Sequence, residues 1–286
     1  ATQARLLADG LRSEGVEVRV IPEREWVSWK DRLPLVRTLH QYRQRLRRLH
    51  GVAGEIDGVV VLSCTGMSIA LVAMPVVRWA VAQRLPVVLS QRGARTETEL
   101  GRSALFRWVF RYFAEHCAAL HVSSPYLQRV LAQHGIASTS VPIIIDVAGL
   151  PYRPRAVDLT HMVNTRAMAP FHGVPTLIQS FSLIRDEFPQ ARLTIAGQGS
   201  DYRPCVELAA ALKQQDGIEF PGNLSRAQIA ALLDGAGVLL NTSTADNIPN
   251  AILEAFAAGV PVITSAVGGI PDLIGNDERG FLVSGQ

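Results

Sequence analysis

A chain of 286 residues with 48% hydrophobic and 19% charged side chains holds enough apolar material for two cores of ordinary domain size. Its formal net charge of +3 is too mild for a nucleic-acid binder, and no run of about eighteen apolar residues offers a membrane span. Cys64, Cys117 and Cys205 are far apart, odd in number and without a Cys-x-x-Cys spacing, the pattern of reduced thiols in a cytosolic protein.

Residues 1–14 are helical in pattern, with Leu6, Leu7 and Leu11 on one side and Gly15 as the stop, and Val16–Ile21 reads as a strand. Residues 26–50 are the most basic part of the chain, with Lys30 and six arginines against the single acid Asp31 and five leucines on an apolar side. Such a stretch fits peripheral contact with an anionic membrane, and it equally fits an ordinary solvated helix packed by its leucines. Asp57–Cys64 is a buried strand, Ile69–Arg84 an apolar helix and Pro86–Ser90 the next strand. That strand runs into Gln91-Arg92-Gly93, then a polar loop with Glu97 and Glu99. Arg92 is either a surface arginine or, at a strand's C-terminal end, a guanidinium for phosphate or a sugar carboxylate. Leu100–Glu115 reads as one amphipathic helix, Ala118–Ser123 as a strand, Tyr126–His134 as a helix capped by Ser123-Ser124-Pro125, and Val141–Ile145 as a closing strand.

Leu150–Arg155 carries two prolines and reads as a stiff linker, giving domains at 1–149 and 150–286. The second opens with the strand Leu159–Val163, the loop Thr165–Gly173 and the helix Val174–Glu187. Ala191–Ala196 is a strand that ends in Gly197-Gln198-Gly199, either a tight strand-to-helix turn or a frame for a nucleotide. Ile218–Phe220 is a further strand, and Ser225 is a natural N-cap for the helix after it. From Gly237 to Ile274 the order is strand, polar loop, helix, strand and helix, with Pro249 in the first turn of the first helix and Gly259 at its end. Asp246 lies in the loop and Glu254 eight positions on, in the helix. Gly280–Val283 is a last strand. Alternating strands and helices of these lengths make an α/β chain with parallel sheets.

The stretch Asp246 to Asp272 closely resembles the donor site of the family-4 retaining glycosyltransferases. It has two acids eight apart, then Gly259-Val260-Pro261-Val262 and Gly268-Gly269-Ile270-Pro271-Asp272. The resemblance implies the GT-B fold, two Rossmann-like domains with parallel sheets facing across a cleft. It makes 1–149 the acceptor-side domain and 150–286 the donor-binding one. It further implies that a strand and glycine-rich loop before residue 1, and helices after residue 286, are missing from this sequence. By the same resemblance Arg166 stands at the arginine of the family's phosphate-gripping loop and His172 at its lysine. Asp246 replaces the family's usual glutamate, one methylene shorter.

The implied chemistry is transfer of a sugar from a UDP- or GDP-sugar to a glycan or lipid-linked acceptor, a hexosyl transfer with retention of configuration. Because the diphosphate leaves, stabilising its charge is the main electrostatic task. Arg166, His172 and the backbone N–H groups of Asn247, Ile248, Asn250 and Ala251 are the candidates. Gly197 and Gly199 would frame the nucleotide, Glu254 would hold the ribose, and Asp246, with Arg92, would stand near the transferring sugar. No Asp-x-Asp occurs and the seven histidines show no metal spacing, so neither a metal nor another cofactor is expected. The expected location is cytoplasmic, with any membrane contact made through 26–50. A non-catalytic nucleotide-sugar-binding protein and a nucleotide-sugar epimerase on the same fold are the alternatives.

Overall fold

The computed structural model describes residues 2–20, 47–63, 73–275 and 280–284. Two compact units, Ala1–Ile144 and Ile145–Gln286, divide the chain ahead of the proline-bearing segment 150–155.

The first unit opens on α1 (Thr2–Ser13). Residues 16–20, expected as a strand, have no regular structure, and most of the basic stretch 26–50 lies outside the described residues, which resume in a helical segment at 47–52. Strands β1 (Val59–Ser63), β2 (Val87–Gln91), β3 (Ala119–Val122) and β4 (Thr139–Ser140) pair in parallel in that order. The expected closing strand Val141–Ile145 does not form. Only Val141 continues the ladder, donating its N–H to Val122 O at 2.9 Å, and Pro142 has no N–H to carry it further. Helix α2 (Met74–Ala82) follows β1. The single helix expected over 100–115, and the loop before it, are instead α3 (Thr96–Arg102) and α4 (Ala104–His116). The break is Ser103, which is extended and accepts a hydrogen bond from Phe106 N, as an N-cap does. Ser124 caps α5 (Pro125–Gln133) in the same way through Leu127 N. Leu89, Leu100, Phe110, Phe113, Val122 and Leu127 form the sealed centre of this unit.

In the second unit six parallel strands run in the order β10-β9-β8-β5-β6-β7. They are β5 (His161–Asn164), β6 (Arg192–Ala196), β7 (Ile218–Gly222), β8 (Val238–Asn241), β9 (Val262–Ser265) and β10 (Phe281–Val283). Between them lie α6 (Val174–Glu187), α7 (Tyr202–Ala211), α8 (Arg226–Gly235), α9 (Asn250–Ala258) and α10 (Ile270–Ile274). Successive strand residues feed opposite faces. Met162, Val238 and Leu240 join one apolar cluster with Leu177, Phe181 and Cys205, whereas Val163 and Leu239 join a second with Leu233, Ile252 and Ile270. The sheet is therefore covered on both sides, which is why β8 reads as an unbroken apolar run. Each fully buried leucine or phenylalanine in these clusters contributes about 1.5–3 kcal/mol. The chain adds β6 and β7 on one side of β5, then returns to lay β8, β9 and β10 on the other. The strand order reverses between β5 and β8, and ligands of open α/β sheets bind at the carboxyl ends of such a pair.

Candidate functional site

Both strands at the reversal end in a buried asparagine. Asn164 donates from Nδ2 to Leu240 O at 2.8 Å and accepts at Oδ1 from Arg166 N at 3.1 Å. It thereby ties the end of β5 to β8 and sets the first turn of the loop that follows. The turn after β6 clasps that loop from the other side, through Met168 N to Gln198 O at 3.1 Å and Asp201 N to Met168 O at 3.0 Å. A Cβ on Gly197 would lie 2.3 Å from Arg166 O, and one on Gly199 would lie 2.1 Å from Met168 O. These two glycines, expected to frame a nucleotide, are the places where two loops touch backbone to backbone.

Arg166, His172 and Asp246 meet here. The Nη2 of Arg166 lies 2.5 Å from Asp246 Oδ2 and 2.9 Å from His172 Nε2. Its two protons are thus used, while Nη1 and the buried Nε make no hydrogen bond to a described residue. The Nδ1 of His172 bonds to Ala167 O. A carbonyl only accepts, so Nδ1 carries the proton; a guanidinium only donates, so Nε2 offers its lone pair. The ring is therefore neutral. Burial, and next the Arg166 charge, hold its pKa below the ordinary histidine value. In this arrangement no N–H of His172 is left for an anion, which differs from the direct phosphate contact expected from the sequence.

Asp246, 7% exposed, is braced on both oxygens. Oδ1 accepts from Asn247 N at 2.8 Å, and Oδ2 from Arg166. The Ser243 hydroxyl lies 2.9 Å from Asn241 Oδ1 and 3.4 Å from Asp246 Oδ2, so its single proton serves one of them. Asn241 in turn donates to Thr264 Oγ1 at 2.9 Å, which joins β8 to β9 behind the loop. Gly269 fits beneath Asn247, whose carbonyl oxygen would lie 2.5 Å from an added Cβ. Sequence reasoning missed Asn164, Asn241 and Ser243. The signal was a polar residue closing an apolar strand, in His-Met-Val-Asn and Val-Leu-Leu-Asn.

Pro249 is the N-cap of α9, one position ahead of the first-turn place expected for it, and no side chain caps the helix. Asn247 and Ala251 are buried, Ile248 is half-buried and Asn250 is exposed, all at the positive end of the helix dipole. Glu254, one turn on, is half-buried. Burial raises its pKa, against the opposing pull of Arg226 and Arg166. Arg92 belongs to the other unit, just past β2, with Nε 3.3 Å from Ser90 Oγ. Among the described residues, no three His, Cys, Asp or Glu side chains gather as a metal-binding group, and no helix is long and apolar enough to cross a membrane.

Residues 161–286 match the family model described as Glycosyl transferases group 1. The N-acetyl-alpha-D-glucosaminyl L-malate synthase of Bacillus anthracis is 32% identical over 124 residues, 43% of this chain and 31% of that protein. Glycogen synthase of Mycobacterium tuberculosis is 31% identical over 108 residues, 38% of this chain and 26% of that protein. The chain thus spans about a third of the length of the curated relatives it matches. Among solved structures, Anabaena Alr3699/HepE in complex with UDP-glucose superposes with a TM-score of 0.70 at 17% identity, covering 98% of this chain and 75% of that one. Sucrose-phosphate synthase from Thermosynechococcus elongatus gives 0.71 at 18%, covering 89% and 67%. These likenesses assign the fold, which is the GT-B type. The segment that is similar to the Glycosyl transferases group 1 family, residues 161–286, is the one that holds Arg166, His172, Asp246 and Glu254.

Proposed function

We propose that this chain binds a nucleoside-diphosphate sugar through its second unit, as part of an enzyme that transfers the sugar to a glycan or lipid-linked acceptor. The observation that carries this reading is the Arg166 guanidinium. It is held by a buried carboxylate beside an uncapped helix N-terminus, at the point where the strand order reverses. Breaking the anomeric C–O bond leaves charge on the diphosphate, and a fixed cation with a helix dipole stabilises that charge as it develops. Glu254, a half-buried carboxylate with no hydrogen-bond partner among the described residues, is placed to accept from ribose hydroxyls. Asp246 would stand near the sugar. HepE, the structural relative, was solved with UDP-glucose, which makes UDP-sugars the first donors to try. Retention of configuration and independence of metal complete the proposal.

Calorimetry with UDP-, GDP- and ADP-sugars tests the donor reading. The expected result is binding of one base, weakened by at least tenfold in Arg166→Leu. Equal affinity of wild type and variant would sink it. The engagement of both Asp246 oxygens favours a second reading, a binding protein without turnover. A radiolabelled-donor transfer and hydrolysis assay on the full-length protein separates the two.

A further inference from the structure

Arg166 is held by two different acceptors, and one of them can be switched off by a proton. Asp246 takes one Nη2 proton and His172 Nε2 takes the other. The imidazole itself is fixed by Ala167 O on its Nδ1 side and by the Phe171 ring, whose centroid lies 4.3 Å away. Its main chain is pinned too, by His172 N to Ala169 O at 2.9 Å. His172 is only 7% exposed, so solvent cannot replace the bond it gives Arg166.

We propose that His172 is the positioning residue of Arg166, and that capture of a donor diphosphate by Arg166 requires the imidazole to be neutral. This rests on the donor-binding reading above. Protonation at Nε2 removes the lone pair that Arg166 uses and sets two cations within hydrogen-bond distance, so the guanidinium loses one of its two anchors. The charged groups facing the ring are Arg166, which opposes protonation, and Asp246 and Asp201, which favour it; burial opposes it most. At a position where the resembled family carries a lysine, this chain has a side chain that stays uncharged while it holds the arginine. The direct-contact alternative has the opposite sign. A histidine touching the phosphates would bind them more tightly once protonated.

Two measurements test this. The first uses UDP-glucose, whose diphosphate diester keeps its charge over the range, with calorimetry between about pH 8 and pH 5.5. Wild type should weaken progressively on acidification, by at most about tenfold at pH 5.5, because a ring that titrates below about 6.5 is only partly protonated there. His172→Gln, which keeps an acceptor at the same reach, should bind as wild type does at the alkaline end and show a flat profile. His172→Leu should bind weakly throughout. Tighter binding of wild type at low pH, or a His172→Leu variant equal to wild type at the alkaline end, overturns the proposal. The second needs no ligand. Long-range nitrogen–proton NMR of the full chain should show His172 as the Nδ1–H tautomer, titrating below the ordinary histidine value, and Arg166→Leu should raise that value. An Nε2–H tautomer, or a charged ring at neutral pH, overturns it. Failure to bind any nucleotide sugar with the NMR result intact would count against the donor reading and the diphosphate claim, and leave the Arg166–His172 anchor standing.

Discussion

Arg166 and Asp246 are eighty positions apart in the chain and 2.5 Å apart in the fold. Their side chains are only 15% and 9% exposed. Nothing local in either loop calls for the other; β5 and β8, paired through Met162 and Val163, carry them together. A pair this deep is costly to break on one side, because the remaining charge stays behind without its partner.

Asp246→Ala should therefore lower the stability of the second unit by roughly 3 kcal/mol, read by urea denaturation. The double variant Arg166→Met, Asp246→Leu should recover most of that loss while abolishing diphosphate binding. A single variant as stable as wild type would mean that the pair opens to water.

Much of this was legible in the sequence, and the exceptions have physical reasons. The second unit's strands announce themselves because a sheet buried on both faces needs unbroken apolar runs, as in Val238–Leu240. Ser225 was readable as a cap, and it forms a full capping box with Gln228. Ser103 was not, because the amphipathic rhythm of α3 runs on into α4 and hides the one extended residue between them. Val141–Ile145 has strand-forming side chains, yet pairing is set by the neighbour, and Pro142 ends it. Arg166 and Asp246 could each be singled out on resemblance. Their contact could not, since it depends on the strand order. The hydrogen bonds that Asn164, Asn241 and Ser243 make behind the pair are invisible to periodicity, which registers apolar faces and not the polar atoms that close them.

Glu254→Gln should separate stability from binding. Burial raises the folded-state pKa of Glu254, so the folded protein holds this proton more tightly than the unfolded chain. The group's penalty therefore grows as pH rises above the unfolded carboxylate value of about 4.3. At neutral pH the glutamine variant should melt higher than wild type, and the gain should vanish below about pH 4. Donor affinity should fall by about tenfold, because a charge-assisted hydrogen bond becomes a neutral one. A lower melting temperature at neutral pH would show that the carboxylate is satisfied in the fold.

Arg155 closes two helices at once. Its Nη1 lies 2.9, 2.8 and 3.0 Å from the carbonyl oxygens of Leu233, Asp234 and Ala236 at the end of α8. Its Nη2 reaches Ala258 O, at the end of α9, at 3.1 Å. Burial lowers its pKa, and the Arg153 charge adds to that. A lysine offers one compact ammonium where this site uses a planar fork. Arg155→Lys should cost about 2 kcal/mol and Arg155→Ala more, since carbonyls at both helix ends lose their donor. Equal melting of wild type and the lysine variant would show that water or Arg153 takes over.

Gly173→Ala should loosen the candidate site from behind. Gly173 joins His172 to α6 with φ of 64°, a left-handed backbone that costs an alanine roughly 1–2 kcal/mol. That is the smaller part. An added Cβ would lie 2.0 Å from Thr242 O and 2.9 Å from Thr242 C, and Thr242 is the first residue after β8. Relief requires either the loop of Arg166 and His172 or the loop of Asp246 to move, yet Thr242 Oγ1 bonds back to Gly173 O at 2.9 Å. Movement of either loop lengthens the Arg166–Asp246 contact. Gly149 supplies the control, because its φ is 81° and an added Cβ would meet nothing within 4 Å. Gly149→Ala should lose only the backbone penalty of about 1 kcal/mol and keep donor affinity. Gly173→Ala should lose on the order of 3 kcal/mol or more and at least tenfold in donor affinity. The same loss of stability in both variants, with affinity unchanged, would show that the two loops part at this glycine without disturbing Arg166.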